Sequence, residues 1–199
     1  MNSWVHPAIF FFAGSLLLPL IKGKAKKAFL LLIPVLAIID VALMHEGLYG
    51  AFNFLGTTVL FGRVDKLSLV FAWVFVIMAF LGALYALHRG DDGHHIAGNF
   101  YVGSSLGALF AGDYLSLFIF WEIMAFSSVF LIWYRKQQRS TDAGYRYLLL
   151  HVFGGLLFFM GMILYYGKTG SLAFERILPP GAGIPEYLIL AGFALNAAV

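Results

Sequence analysis

The sequence predicts an all-α multi-pass membrane protein: six complete transmembrane helices, a partial seventh, and a short extramembrane hairpin between the second and third. Three observations carry this prediction. Of the 199 residues, 61% are hydrophobic and only 12% are charged, whereas a soluble domain has about 45–50% and about 25%. The mean hydropathy is +0.87. Apolar runs also recur that approach or reach the roughly 20 residues needed to span a bilayer. An ordinary soluble domain, a disordered tail and a nucleic-acid-binding module are thereby excluded. The net charge of +3 is read from where the positives sit, not as affinity for nucleic acid. With no cysteine in the chain, disulfides, zinc–thiolate sites and cysteine-ligated iron–sulfur clusters are excluded too.

The predicted spans are Trp4–Ile21, Ala28–Met44, Leu67–Leu87, a short glycine-rich Ile96–Ala111, Tyr114–Tyr134 and Tyr147–Tyr166, with a seventh beginning near Ile184. Only Gly112–Asp113 separates the fourth from the fifth, which points to a tight helical hairpin. Leu48–Phe61 is apolar but too short to span, and it carries Gly50, Asn53 and Gly56. It reads as a β-hairpin or a surface-lying segment outside the membrane.

Charge sets the expected orientation. The odd-numbered connections hold nine basic residues: Lys22, Lys24, Lys26, Lys27, Arg89, Arg135, Lys136, Arg139 and Arg146. The even ones hold four: Arg63, Lys66, Lys168 and Arg176. The positive-inside rule therefore puts the odd connections in the cytoplasm and the N-terminus outside. A cleaved signal peptide carries its positives before the apolar run, whereas these lysines follow it, so the first span reads as an anchor. The final run, Ile184–Val199, has 16 residues, about 24 Å of helix against a hydrocarbon core of about 30 Å. Carbonyls left unpaired in hydrocarbon are costly. The expectation is a front part of a larger protein, or a partner chain that covers the helix end.

Glu122 is the foremost candidate for chemistry. It lies mid-span in DYLSLFIFWEIMAFSSVFLIWY, where an ionisable residue usually faces a protein interior or water path and marks an ion or proton route. Lost hydration favours a neutral acid and a neighbouring cation favours the carboxylate, which are the opposed influences a switchable proton site requires. The plain structural alternative is a permanently neutral acid bonded to a neighbouring helix. His151, in YRYLLLHVFGG, can relay protons through its two ring nitrogens, or simply pack against a backbone carbonyl. Asp40, near the outer end of the second span, reads as a residue that snorkels to the interface. Asn196 is able to hydrogen-bond across helices. Gly103 and Gly107 form a GxxxG pattern that admits a close neighbouring helix.

His88, Asp91, Asp92, His94 and His95 cluster in one connection. They lack the fixed helical spacing of a metal site and read as a solvated polar turn. No metal site and no cofactor is expected in this chain, and with His151 as the sole histidine inside a span, a bis-histidine haem is not either.

The order of these segments resembles the N-terminal portion of the antiporter-like membrane subunits, the family of Mrp-type Na+/H+ antiporter subunits (D-like in this reading) and the proton-pumping subunits of respiratory complex I. Val64-Asp-Lys-Leu-Ser-Leu resembles the entry to that family's third helix, and Gly112–Ser128 its fifth. Tyr145–Gly155 resembles the sixth helix of the Mrp-like branch, and Gly192–Val199 the seventh before its break. The resemblance implies that Glu122 occupies the place of a glutamate that tunes a pumping lysine. That lysine would fall at Asn196, so the usual Glu–Lys pair does not form here. Residues 1–63 then read as an N-terminal two-helix region, and 64–199 as the start of the translocating domain.

The function so implied is a membrane subunit, or its N-terminal fragment, of a monovalent cation/proton antiporter or complex-I-like proton-translocating machine in the inner cell membrane. Its partners would be other membrane subunits, protons, Na+ and the lipid bilayer, with no nucleic acid. Transport would use a Glu122 switch and a His151 relay. No catalysis is expected of this chain itself, because any redox chemistry in such a complex would belong to partner chains. The alternative is a non-conducting structural membrane module of the same kind of complex, which Asn196 favours.

Overall fold

The computed structural model describes residues 5–54, 56–174 and 183–198. Trp4, Arg176 and Val199, which entered the sequence reading, lie outside the described residues. The chain forms α1 (Ala8–Leu17), a 3-10 turn (Leu18–Leu20), α2 (Lys24–Leu43), β1 (Gly47–Phe54), β2 (Thr57–Val64), α3 (Lys66–Ala86), α4 (Asp92–Phe110), α5 (Tyr114–Trp133), α6 (Gln138–Thr169) and α7 (Ile184–Ala198).

Local chemistry explains the boundaries. Pro19 tightens the end of α1 into the 3-10 turn, because proline supplies no N–H to continue an α-helix. Three helices start at aspartates whose carboxylates accept bonds from otherwise orphaned first-turn N–H groups. Asp65 accepts from Ser68 N at 2.8 Å, and the Ser68 hydroxyl accepts in return from Asp65 N at 2.8 Å. Asp91 accepts from Gly93 N at 3.2 Å, and Asp113 from Ser116 N at 2.8 Å. Gly170, at φ 71°, stops α6 in the left-handed conformation that glycine adopts without strain.

Three helices are long and apolar enough to cross a membrane: Lys66–Ala86, Tyr114–Trp133 and Gln138–Thr169. Ala8–Leu20 and Ile184–Ala197 are shorter apolar helices. The fourth and second predicted spans lie on α4 and α2, whose polar N-terminal turns dilute their hydropathy. The largest departure from the predicted boundaries is at α6, which runs over 32 residues instead of Tyr147–Tyr166. Hydropathy marks where a helix is apolar, not where it ends, and the polar stretch from Gln138 to Arg146 is also helical.

Leu48–Phe61 falls within a two-stranded antiparallel hairpin, with Leu48 opposite Arg63 and Phe54 opposite Thr57. Gly56, at φ 81°, makes the turn. The hairpin is stitched to the α4–α5 corner. Gly112 N donates to Leu60 O at 2.9 Å, and the Ser116 hydroxyl donates to the same carbonyl at 3.1 Å. Leu60 N donates to Asp113 Oδ2 at 2.5 Å. Tyr114 N donates to Leu172 O at 3.0 Å, which ties in the segment after α6.

The opposite end is held by charge. Lys26 bonds Asp92 at 2.7 Å, and Lys136 pairs with Asp91 at 3.4 Å. The α1–α2, α3–α4 and α5–α6 connections thus meet at one end of the bundle. Between the ends, one apolar core joins Phe11, Ile33, Ala37, Val76, Leu106 and Phe110 from α1 to α4. A second joins Tyr114, Phe158, Met162 and Ile189 from α5 to α7.

Candidate functional site in the α5–α6–α7 bundle

The second core surrounds a polar cluster. The face of α6 that meets α5 and α7 is cleared by two consecutive glycines. A Cβ at Gly155 would run into the Glu122 carboxylate, and one at Gly154 into the Asn196 carboxamide. The α6–α7 approach is close along its length. A Cβ at Gly192 would lie 2.6 Å from Gly154 O, and one at Gly161 2.7 Å from Ile189 N. Helices pack this tightly in a membrane through small residues, because lipid gives no hydrophobic drive to association.

His151 precedes this glycine pair by one helical turn and is buried at 4% exposure. Both ring nitrogens are buried without a hydrogen-bond partner among the described residues. The Asn196 carboxamide, also buried, sits beside the imidazole but outside hydrogen-bond geometry. On the other side, the His151 ring lies 4.1 Å from that of Tyr147, whose hydroxyl is 2.8 Å from the Ser128 hydroxyl on α5. Glu122 is half-buried and enters no ion pair among the described residues. Ser128, Tyr147, His151, Asn196 and Glu122 therefore form a polar stripe within otherwise apolar helices. Such a stripe can hold and pass protons.

The other candidates fall elsewhere. Asp40 lies on α2, which packs on α1 and α3, and its Oδ2 is buried without a partner among the described residues. Gly103 and Gly107 both serve close approach, on different neighbours. A Cβ at Gly103 would lie 3.0–3.3 Å from Phe11, Phe12 and Ala8 O of α1, and one at Gly107 would meet the Phe120 ring of α5. In the connection before α4, Asp91 and Asp92 are engaged by Lys136 and Lys26, and His95 Nε2 lies 3.1 Å from Arg89 O. Burial holds the His94 imidazole below its usual pKa, aided by the positive Arg89 and His95 and opposed by Asp91.

Sequence reasoning missed Gly154, Gly155, Tyr147 and Ser128. The i, i+4 spacing of Tyr147 and His151 and the doubled glycine one turn later were the available signals. It also missed Glu186 on α7, which is buried, paired with Lys168 at 2.7 Å, and accepts from Gly183 N at 2.8 Å.

Residues 111–199 match the family described as NADH:quinone oxidoreductase/Mrp antiporter, transmembrane. In sequence and in fold the chain is antiporter-like. Glu122, His151 and Asn196 all lie within the antiporter-like match. Among curated relatives, a Na(+)/H(+) antiporter protein of Alkalihalophilus pseudofirmus is 31% identical over 123 residues, 58% of this chain and 15% of that protein. Its Staphylococcus aureus counterpart is 30% identical over 122 residues, with the same coverage. The match thus spans about 15% of the length of these relatives.

Solved structures share the antiporter-like fold. A chain of the Mrp complex from Dietzia sp. superposes with a TM-score of 0.76 at 22% identity, over 96% of this chain and 23% of that one. A chain of respiratory complex I from Thermus thermophilus gives 0.77 at 24% identity, over 96% and 42%.

Proposed function

We propose that this chain is a multi-pass membrane subunit of an Mrp-type cation/proton antiporter or a related complex-I-like machine. Its lysine-bearing connections face the cytoplasm, and other membrane subunits surround it. Glu122 is the intramembrane proton or ion switch, and His151 is the relay beside it. The observation that carries this reading is the convergence of Glu122, His151 and Asn196 on the Gly154–Gly155 face of α6. A mid-span carboxylate of this kind marks an ion path far more often than a packing contact. Asn196 stands where the resemblance expects a lysine, so the titratable group beside Glu122 is an imidazole.

The second reading is a non-conducting structural module, and the neutral Asn196 side chain favours it. The two are separated by Glu122→Gln and His151→Ala in the complete complex, assayed for coupled cation/proton exchange in sealed vesicles and for assembly on native gels. Switch and relay roles predict loss of exchange with normal assembly. Normal exchange in the Glu122 variant would overturn the transport reading, and defective assembly with normal residual turnover would support the structural one.

A further inference from the structure

A second feature lies outside the polar stripe. Between α2, α3 and α4 runs a cleft of about 530 Å³, lined by Leu30, Pro34, Phe75, Met78, Gly82 and Gly98, with His94 at its mouth. Its α3 wall runs from Phe75 to Ala86, about 16 Å at about 1.5 Å per residue, which is close to half of a hydrocarbon core of about 30 Å. That depth is one leaflet. The volume over that length leaves a mean cross-section of about 33 Å², whereas a helix about 10 Å wide needs about 80 Å². The cleft therefore has the width of an extended hydrocarbon chain and is too narrow for a partner helix. Two glycines keep it open: a Cβ at Gly82 or at Gly98 would meet nothing within 4 Å.

The mouth is basic. Lys26 bridges to Asp92 across it, while Lys24, Lys27 and Arg89 are exposed and enter no ion pair among the described residues. Lys27 stands one turn before Leu30 of the cleft wall. Lys24, Lys26 and Lys27 occupy the first turn of α2, where the helix dipole disfavours cations, so their placement does nothing for the helix itself.

We propose that this cleft holds one acyl chain of an anionic phospholipid, with the headgroup phosphate bound by Lys24, Lys27 and Arg89. Basic pockets between membrane helices recognise anionic headgroups in this way, and each lysine near the surface contributes about fivefold to binding. The occupant resides in the leaflet on the lysine side. The assignment is independent of whether Glu122 conducts.

The test uses the chain in its native assembly, exchanged into vesicles of equimolar phosphatidylglycerol and phosphatidylcholine, then extracted gently for mass spectrometry of retained lipid. Wild type should retain phosphatidylglycerol selectively. Lys24→Gln with Lys27→Gln should lower that selectivity about fivefold per lysine, and Gly82→Phe and Gly98→Phe, on opposite walls, should each abolish retention of either lipid. The glutamine variants leave the packing untouched, so they remain decisive if a phenylalanine variant fails to assemble. Equal retention of both lipids by wild type would overturn the proposal. So would unchanged retention in the filled variants, or photo-crosslinking from position 82 to a neighbouring protein instead of lipid.

Discussion

The Glu122 carboxylate of α5 lies against the bare backbone of Gly155 on α6, in space that any side chain at position 155 would occupy. Its position is therefore set by a neighbouring helix that has been cleared to receive it, not by an ion pair. Gly155→Ala should displace the carboxylate and reduce coupled transport about tenfold or more, as small misplacements of reacting groups do. Gly154→Ala, which presses on Asn196 instead, should cost less. Exchange assays on both variants at equal membrane content would decide this, and equal effects would remove the special status of Glu122.

Asp113 is 1% exposed and joins three groups: Ser116 N, the Ser116 hydroxyl at 2.8 Å, and Leu60 N. Asp113→Ala leaves the buried Leu60 N–H without its partner and uncaps α5. A loss of about 2–4 kcal/mol is expected from one unmet buried donor plus one cap. Proteolysis within the hairpin turn should accelerate in the variant, and an unchanged cleavage rate would contradict the anchoring role.

Gly103→Leu should destabilise by about 1–3 kcal/mol, because the added side chain meets α1, including Ala8 O at 3.3 Å. Gly82→Ala faces open space and should stay within about 0.5 kcal/mol of wild type. Thermal unfolding in detergent compares the two directly.

Asp65 supplies a pH-dependent increment. Hydrogen bonding from Ser68 N, chiefly, holds its carboxyl below the ordinary value. A lowered folded-state pKa means that the stabilisation is fully present above the unfolded value, about 3.9. It is lost as pH falls through the lower folded value. Asp65→Ala should cost about 1 kcal/mol at pH 7 and progressively less under acid, so the two stability curves should converge on acidification.

The apolar helices were legible in the sequence because hydropathy reports them directly. Glu122, His151 and Asn196 were legible individually, since a polar residue stands out in an apolar run. Their meeting was not, because it depends on the bare surface at Gly154 and Gly155, and a glycine announces no partner. The end of α6 facing Arg146 was misjudged for a related reason: Gln138 to Arg146 is polar and helical at once, and hydropathy detects only the first property. The Lys168–Glu186 pair escaped notice because its members are 18 residues apart, with nothing in their spacing to link them.

The two ends of the bundle are fastened by different materials. At the hairpin end, backbone groups of Leu60, Gly112, Tyr114 and Leu172 are bonded directly, and salt leaves such bonds intact. At the lysine end, the connections meet through partly exposed ion pairs, which are individually weak and are screened at physiological ionic strength. The molecule is thus built like a peg with a fixed spring and free jaws. Rising ionic strength should loosen the lysine end alone, so amide hydrogen exchange should quicken around Asp91 and Lys136 while Leu60 and Gly112 stay protected.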